Sequence, residues 1–289
     1  MADLYRTLLE LRDQGEPAAL ATVIEIQGSA PGSECMKMLV TRAGRVAGTI
    51  GGGCVEAEVI DACREAIARD KSRVLEFTLT AEETGEAGLI CGGTVRVFVE
   101  PVVAPTCYLF GGGHVGRRIA QVAHLAGFRV VVVDDREAFA SPERFPEAAR
   151  TLAGDPLDLA RTLVVGPHDH VVIATRSHAF DRTILEWAIT TEAAYIGMIG
   201  SRRKVLATFK AGVDAGVDPA AYARVMAPMG LDIGAVTAEE IAVAVVAEMI
   251  AHRRRNYRPA RNGPRRPHAL WLTQADVASD GVGAGEEDL

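Results

Sequence analysis

The sequence predicts an α/β fold, with an N-terminal mixed α/β domain followed by a Rossmann-like domain built on a doubly wound parallel sheet. Three observations carry this. Before residue 100, short strand-like runs such as Ala18–Ile26 alternate with amphipathic helical periods. From Cys107 onward, near-continuous apolar runs (Cys107–Phe110, Arg129–Val133, His170–Ala174) alternate with helices, the pattern of parallel strands covered on both faces. Between the first of these strands and its helix stands Gly111-Gly112-Gly113-His114-Val115-Gly116, a GxGxxG turn.

Each element has a local cause. Leu4, Leu8 and Leu11 recur at helical spacing, and Gly15 stops that helix. The strand Ala18–Ile26 ends at the breaker-rich Gly28-Ser29-Ala30-Pro31-Gly32. Met36–Thr41 and Arg45–Ile50 form a hairpin around Ala43-Gly44. After Gly51-Gly52-Gly53, the stretch Cys54–Asp70 is helical, with Val55, Val59, Cys63 and Ile67 on one stripe. Strands Arg73–Leu79 and Thr94–Val99 flank an acidic loop ending in Ile90-Cys91-Gly92-Gly93. The connector Pro101–Pro105 (PVVAP) is stiff and sets domains of 1–102 and 103–255. In the second domain, helices over His114–Ala126, Phe180–Ile189 and Ser201–Ala215 alternate with the apolar strands and with Ala194–Ile196. Thr237 with Glu240 makes a capping box for a last helix, Thr237–Ala251. Residues 256–289, rich in Pro, Arg, Gly and acid, are expected to form a disordered tail.

Composition excludes several functions. The chain has 289 residues, 48% of them hydrophobic, enough for two cores. A net charge of −7 argues against nucleic acid as partner. Seven arginines without an acid lie between Met249 and Ala275, and five acids without a base follow. No apolar run approaches the roughly 18–20 residues of a membrane helix, so no membrane insertion is expected. The first residues lack the basic-then-apolar layout of a secretory signal. Five cysteines, with no CxxC pair, fit a reduced, cytoplasmic protein without a zinc cage.

The candidate chemistry sits at glycine-rich turns. Gly111 and Gly113 let backbone approach a pyrophosphate, Gly116 lets helix and strand pack, and Asp134, 18 residues after Gly116, is placed for a ribose hydroxyl. The same pattern also serves as a plain strand–helix turn. Asp134 favours NAD over NADP, with Arg136 close by to blur the preference. Arg176 and His178 follow the strand His170–Ala174, and His114 opens the helix after the GxGxxG turn; each histidine is either an acid/base group or an inert loop residue. Gly200, Ser201 and Arg202 begin a helix carrying three cations with Arg203 and Lys204, either an anion site or a capped, solvated helix start. Gly51, Gly52 and Gly53 precede Cys54, and Cys91 precedes Gly92 and Gly93. These two thiols read as nucleophiles or soft metal ligands, or else as small inert side chains. Cys63 and Cys107 belong to apolar stripes.

Together these segments resemble the XdhC/CoxI family. The N-terminal likeness rests on Gly28-Ser29-Ala30-Pro31, on Lys37 to Val40, on Gly48 to Glu56 and on Cys91-Gly92-Gly93. The C-terminal likeness rests on Phe110 to Gly116, Val133 to Arg136, Tyr195 to Lys204 and Pro228 to Gly234. The resemblance implies a maturation factor for xanthine dehydrogenase-type molybdenum hydroxylases. Such a chaperone, rather than a turnover enzyme, binds molybdenum cofactor (molybdopterin or its dinucleotide form), shields it while a cysteine desulfurase helps supply the sulfido ligand, and passes it to the apoenzyme. It implies molybdenum contacts at Cys54 and Cys91, a homodimer, and partners in an apo molybdenum hydroxylase and the desulfurase. The pattern departs at Gly32 and Cys35, where the family usually has Arg and Gly. The alternative reading is an NAD(P)-binding oxidoreductase working through the Rossmann domain.

Overall fold

Two layers of local code produce two units, Met1–Ala104 and Pro105–Leu289, in the computed structural model, which describes residues 2–28, 32–78 and 93–254. In the first unit, helix α1 (Ala2–Gln14) precedes β1 (Ala18–Gln27) and the hairpin β2 (Lys37–Thr41) and β3 (Gly44–Gly48). Helix α2 (Gly53–Arg69), β4 (Arg73–Thr78) and β5 (Thr94–Val102) follow among the described residues. The five strands pair antiparallel throughout, in the order β3-β2-β1-β5-β4.

The helical stripe read from the sequence is the reason α2 lies on this sheet. Val55, Val59, Cys63 and Ile67 pack against Ala19, Ala21, Val23, Met38, Val40, Val95, Val97 and Val99, the inward residues of three strands. Leu4 of α1 covers part of the opposite face, against Leu20 and Leu39. Asp70 ends α2 in the left-handed conformation, at φ +46°, an αL cap made without glycine.

The expected stiff connector at Pro101–Pro105 is corrected in part: β5 runs through Pro101 to Val102. Proline is tolerated there because pairing with β4 reaches only Val99, while β1 alone continues alongside, through Ala19↔Pro101 and Ala18↔Val102.

The second unit begins with β6 (Thr106–Phe110), α3 (His114–Leu125) and β7 (Arg129–Asp134). It continues through β8 (Arg150–Ala153), α4 (Pro156–Ala160), β9 (His170–Ile173), α5 (His178–Ala188) and β10 (Tyr195–Met198). Helix α6 (Arg202–Asp214), the short β11 (Val225–Met226) and α7 (Ala238–Arg254) follow. All six strands are parallel, in the order β11-β10-β9-β6-β7-β8. The chain therefore winds outward from β6 through β7 and β8, then returns to the other side of β6 for the remaining three. Reversal between β6 and β9 makes a topological switch point, and helices cover both faces. Ile184, Leu185, Val205 and Phe209 of α5 and α6 pack on one face; Ile119, Ala123, Val245 and Met249 of α3 and α7 pack on the other.

Strand β8, helix α4 and strand β11 were not read from the sequence. β8 is four residues, only half-buried, with arginine at its start, so it carries no apolar run. β11 is two residues long. Helix α4 is a single short turn capped by Asp155, whose side chain accepts from the amides of Leu157 and Asp158. The capping box of α7 forms in full: Glu240 accepts from the Thr237 amide (3.0 Å), and Thr237 Oγ1 accepts from the Glu240 amide (3.2 Å).

Candidate functional site

In the second unit, three neighbouring strands end in loops that each start a helix. β6 leads through Gly113 to His114, β9 through Ser177 to His178, and β10 through Ser201 to Arg202. All three helix starts thus lie at the carboxyl edge of the sheet, and the first two flank the switch point, where open α/β sheets bind ligands. His114, His178, Ser201 and Arg202 are exposed there. Ser177 Oγ caps the Ala179 amide and Ser201 Oγ caps the Lys204 amide, so both hydroxyls are engaged in starting their helices.

The glycines of the turn divide the labour differently from the expectation. A β-carbon on Gly111 would stand 2.1 Å from the Ala174 carbonyl oxygen, and one on Gly116 would stand 1.9 Å from that of Gly111. These two residues let β6, β9 and α3 approach one another. Gly112, given no role in the GxGxxG reading, is as restricted, since its β-carbon would meet the Phe139 carbonyl oxygen at 1.8 Å. Only Gly113 faces open space, with nothing within 4 Å.

Asp134, placed by the motif for a ribose hydroxyl, is turned into the protein. Its side chain is 3% exposed. Oδ2 accepts from the Gly112 amide (2.8 Å) and Arg136 Nη2 (3.1 Å), and Oδ1 accepts from the Arg136 amide (3.0 Å) and Nε (2.9 Å). The neighbouring Asp135 pairs with Arg176, Nη2 to Oδ2 at 2.5 Å. That guanidinium holds the Asp135 carboxyl below the usual carboxylate range.

The three-cation reading of the α6 start needs correction. Lys204 does not join Arg202 and Arg203 at the surface; its Nζ lies 2.5 Å from Oδ2 of Asp181, a fully buried residue of α5. Asp181 Oδ1 also accepts from the amide (3.3 Å) and hydroxyl (2.7 Å) of Thr175. Sequence reasoning missed Asp181. The available signal was an acid three residues into a helix, after a Thr-Arg-Ser turn, in an otherwise apolar period.

In the first unit, the turn into α2 passes through Gly51, Gly52 and Gly53 at φ +124°, +82° and +71°, three successive residues in a region that side chains resist. Glu56, in the first turn of α2, reaches back to hold it. Its Oε2 accepts from Thr49 Oγ1 (2.5 Å) and the amides of Ile50 (3.3 Å) and Gly52 (3.2 Å). The Thr49 hydroxyl, helped by those amides and by Arg45, holds the Glu56 carboxyl below its ordinary value. β-Carbons on Gly52 and Gly53 would meet nothing within 4 Å, and the Cys54 thiol beside them is exposed. A β-carbon on Gly32 would stand 3.1 Å from the Ile50 carbonyl oxygen, so the loop bearing Gly32 and Cys35 abuts this turn. Cys35 is exposed and sits at φ +67°, a left-handed conformation that favours glycine. Lys37 donates to Thr22 Oγ1 at 2.9 Å. Gly93 is buried just before β5, whereas Cys91 and Gly92 lie outside the described residues, as does the tail from residue 255.

Cys63 and Cys107 are fully buried, and burial pushes each thiol up to about 12. Among the described residues, no cluster of three His, Cys, Asp or Glu side chains could hold a metal ion, and no helix is long and apolar enough to cross a membrane.

A glycine-turn Rossmann unit joined to an antiparallel unit with an open thiol-bearing turn defines an α/β protein of two dissimilar halves. Residues 107–249 match the family model of the XdhC Rossmann domain, and residues 11–78 match that of the XdhC and CoxI family. The chain belongs to the XdhC/CoxI family. It is 35% identical over 250 residues to the uncharacterised protein YqeB of Escherichia coli K12, covering 86% of this chain but 46% of that relative, so it spans about half of YqeB. It is 24% identical to a Bacillus subtilis 168 protein described as a probable xanthine dehydrogenase subunit, over 88% of this chain and 99% of that one. A crystal structure of a xanthine dehydrogenase from Bacillus halodurans aligns at 21% identity and a TM-score of 0.49, covering 92% of this chain and 98% of that one.

Proposed function

We propose that the chain is a maturation factor that carries molybdenum cofactor to a xanthine dehydrogenase-type molybdenum hydroxylase and protects it during sulfuration. The observation that carries this reading is the exposed thiol of Cys54 on an open glycine turn, in a member of the XdhC/CoxI family. Molybdenum cofactor is the cargo, an anionic pterin bearing a dithiolene and a phosphate. A soft thiolate suits a thiophilic metal. Glycines 52 and 53, with no side chain and free space outside, let a bulky ligand approach the backbone.

In this reading Gly51, Gly52, Gly53 and Cys54 contact the molybdenum, and Cys91, with Gly92 and Gly93, is assigned the same role by family resemblance; the second unit is considered by itself. Gly113 and His114 at the start of α3, His178 at the start of α5 and the Gly200-Ser201-Arg202 start of α6 offer amides and cations to an anionic group. Gly111 and Gly116 shape that edge of the sheet. The apoenzyme, a cysteine desulfurase and a second copy of the chain are the proposed partners, and the cytoplasm the proposed location.

The test is retention of cargo. The full chain, purified from cells that make molybdenum cofactor, is assayed for bound molybdenum and pterin alongside Cys54→Ala and Cys91→Ala. Retention by the wild type, reduced at least tenfold in Cys54→Ala, supports the reading. A wild type that retains neither metal nor pterin, or a Cys54→Ala variant that retains both fully, overturns it.

A further inference from the structure

The Rossmann unit carries the glycine turn of a dinucleotide site, yet the acid at the end of its second strand is engaged by the chain itself. In such sites the acid ending the second strand binds the ribose hydroxyls beside the glycine turn. Here that acid is Asp134, and a carboxylate has about four acceptor positions. All are taken: two by the guanidinium of Arg136, one by the Arg136 amide and one by the Gly112 amide. The side chain is 3% exposed, so no hydroxyl from outside reaches it.

The segment after β7 packs against Gly112. Its short 3-10 turn, Glu137–Phe139, brings the Phe139 carbonyl oxygen so near Gly112 that a β-carbon there would lie 1.8 Å away. Arg144 Nε donates to the Gly112 carbonyl oxygen at 2.9 Å, closing the turn from the other side. The Phe139 ring lies beneath both guanidinium groups, 3.6 Å from the Arg136 carbon and 4.7 Å from that of Arg144. Phe145, fully buried, backs the same glycine. The ring stacked under two cations and the carboxylate already bonded leave no ribose acceptor at the end of β7.

We infer that Asp134, Arg136, Phe139 and Arg144 form an internal plug that closes the adenosine subsite, so that the Rossmann unit excludes NAD, NADP and other adenine dinucleotides. Asp134 is a pin for the glycine turn, and Arg136 and Phe139 are the specificity-determining residues. This inference goes beyond the maturation reading and does not depend on it: cargo retention concerns molybdenum and pterin, whereas the plug concerns nucleosides.

The test titrates the full chain with NAD+, NADP+ and AMP, by calorimetry and by ligand-observed NMR. The wild type is expected to show no saturable binding up to millimolar nucleotide. The double variant Arg136→Ala/Phe139→Ala, checked for folding by circular dichroism and thermal melting, is expected to gain AMP or NAD+ binding by at least tenfold. Arg144→Ala, which removes one cation from the ring and the bond to Gly112, serves where the double variant does not fold and is expected to gain binding in the same direction. Saturable wild-type binding in the micromolar range overturns the inference. So does a folded double variant, or a folded Arg144→Ala, that binds no better than the wild type.

Discussion

Lys204 Nζ lies 2.5 Å from Oδ2 of Asp181, joining the first turns of α5 and α6 through a carboxylate with no solvent exposure. Asp181 also holds the amide and hydroxyl of Thr175, two residues past the end of β9. One buried acid therefore ties together two of the three loops at the carboxyl edge of the sheet. The positive charge of Lys204 is spent on this tie, and Arg202 and Arg203 are the cations left facing solvent at the start of α6.

Removing one partner of a buried ion pair strands the other, at a cost of about 3–5 kcal/mol. Lys204→Met is therefore expected to destabilise the second unit by about that much, whereas Arg202→Ala and Arg203→Ala change stability by under about 0.5 kcal/mol. Urea denaturation measures each. In a double-mutant cycle, Asp181→Asn with Lys204→Met should cost less than the sum of the single changes; strict additivity would show that the two groups do not interact.

His170 gives a pH dependence of known sign. It is fully buried between Phe128 and Tyr195, and burial, with the charges of His252 and Arg253, lowers it to about 3. Unfolded histidine titrates near 6.5. A group lowered by folding binds its proton more readily in the unfolded chain, so neutral His170 supports the fold fully above pH 6.5. That support is lost as pH falls from 6.5 toward 3. Stability should drop across this window with a contribution of up to about 1.4 kcal/mol per pH unit from this single proton. In His170→Leu, melts recorded from pH 7 to 5 should show a slope shallower by up to that amount, and an unchanged slope would assign the dependence elsewhere.

The first unit sorts its described thiols by exposure. Cys35 and Cys54 are exposed, Cys63 is buried in the first core, and Cys107 is buried in the second unit. A disulfide reagent applied to native protein should modify Cys35 and Cys54 within minutes and reach Cys63 and Cys107 only on unfolding, as read by mass spectrometry of digests. Glu56→Ala should cost about 1–3 kcal/mol, because the Thr49 hydroxyl and two amides lose their acceptor.

Periodicity made much of this fold legible. Val55, Val59, Cys63 and Ile67 announced α2, and the continuous valines of β7 announced a strand covered on both faces. Apart from the β2–β3 hairpin, announced by its Ala43-Gly44 turn, antiparallel pairing in one unit and strand order in the other depend on which distant strands meet, and no local pattern encodes that. At the site, the motif located the glycine turn but not its occupancy. Asp134 reads alike in sequence whether its carboxylate faces a ribose or Arg136 two residues later, and only the path of residues 135–145 decides. The roles of Asp181 and Glu56 are not legible in the sequence, because a single acid in a helical first turn is ordinary, and their partners lie on other elements or behind the helix start.

The glycines of the GxGxxG turn separate folding from binding. Ala at Gly116 or Gly112 places a β-carbon under 2 Å from a backbone carbonyl oxygen, and backbone does not yield cheaply. Each change should cost at least the 1–3 kcal/mol typical of overpacking, seen as a lower urea midpoint. Gly113 is different: its φ is −64°, a value any residue adopts, and its β-carbon would meet no atom within 4 Å. Gly113→Ala should therefore melt within a degree or two of the wild type. Whatever ligand approaches the start of α3 would meet the added methyl group, so Gly113→Val should lose that ligand while keeping the fold. A Gly113→Ala variant that unfolds like Gly116→Ala would mean that the turn is packed on its outer side, and the open edge assigned to it would have to be abandoned.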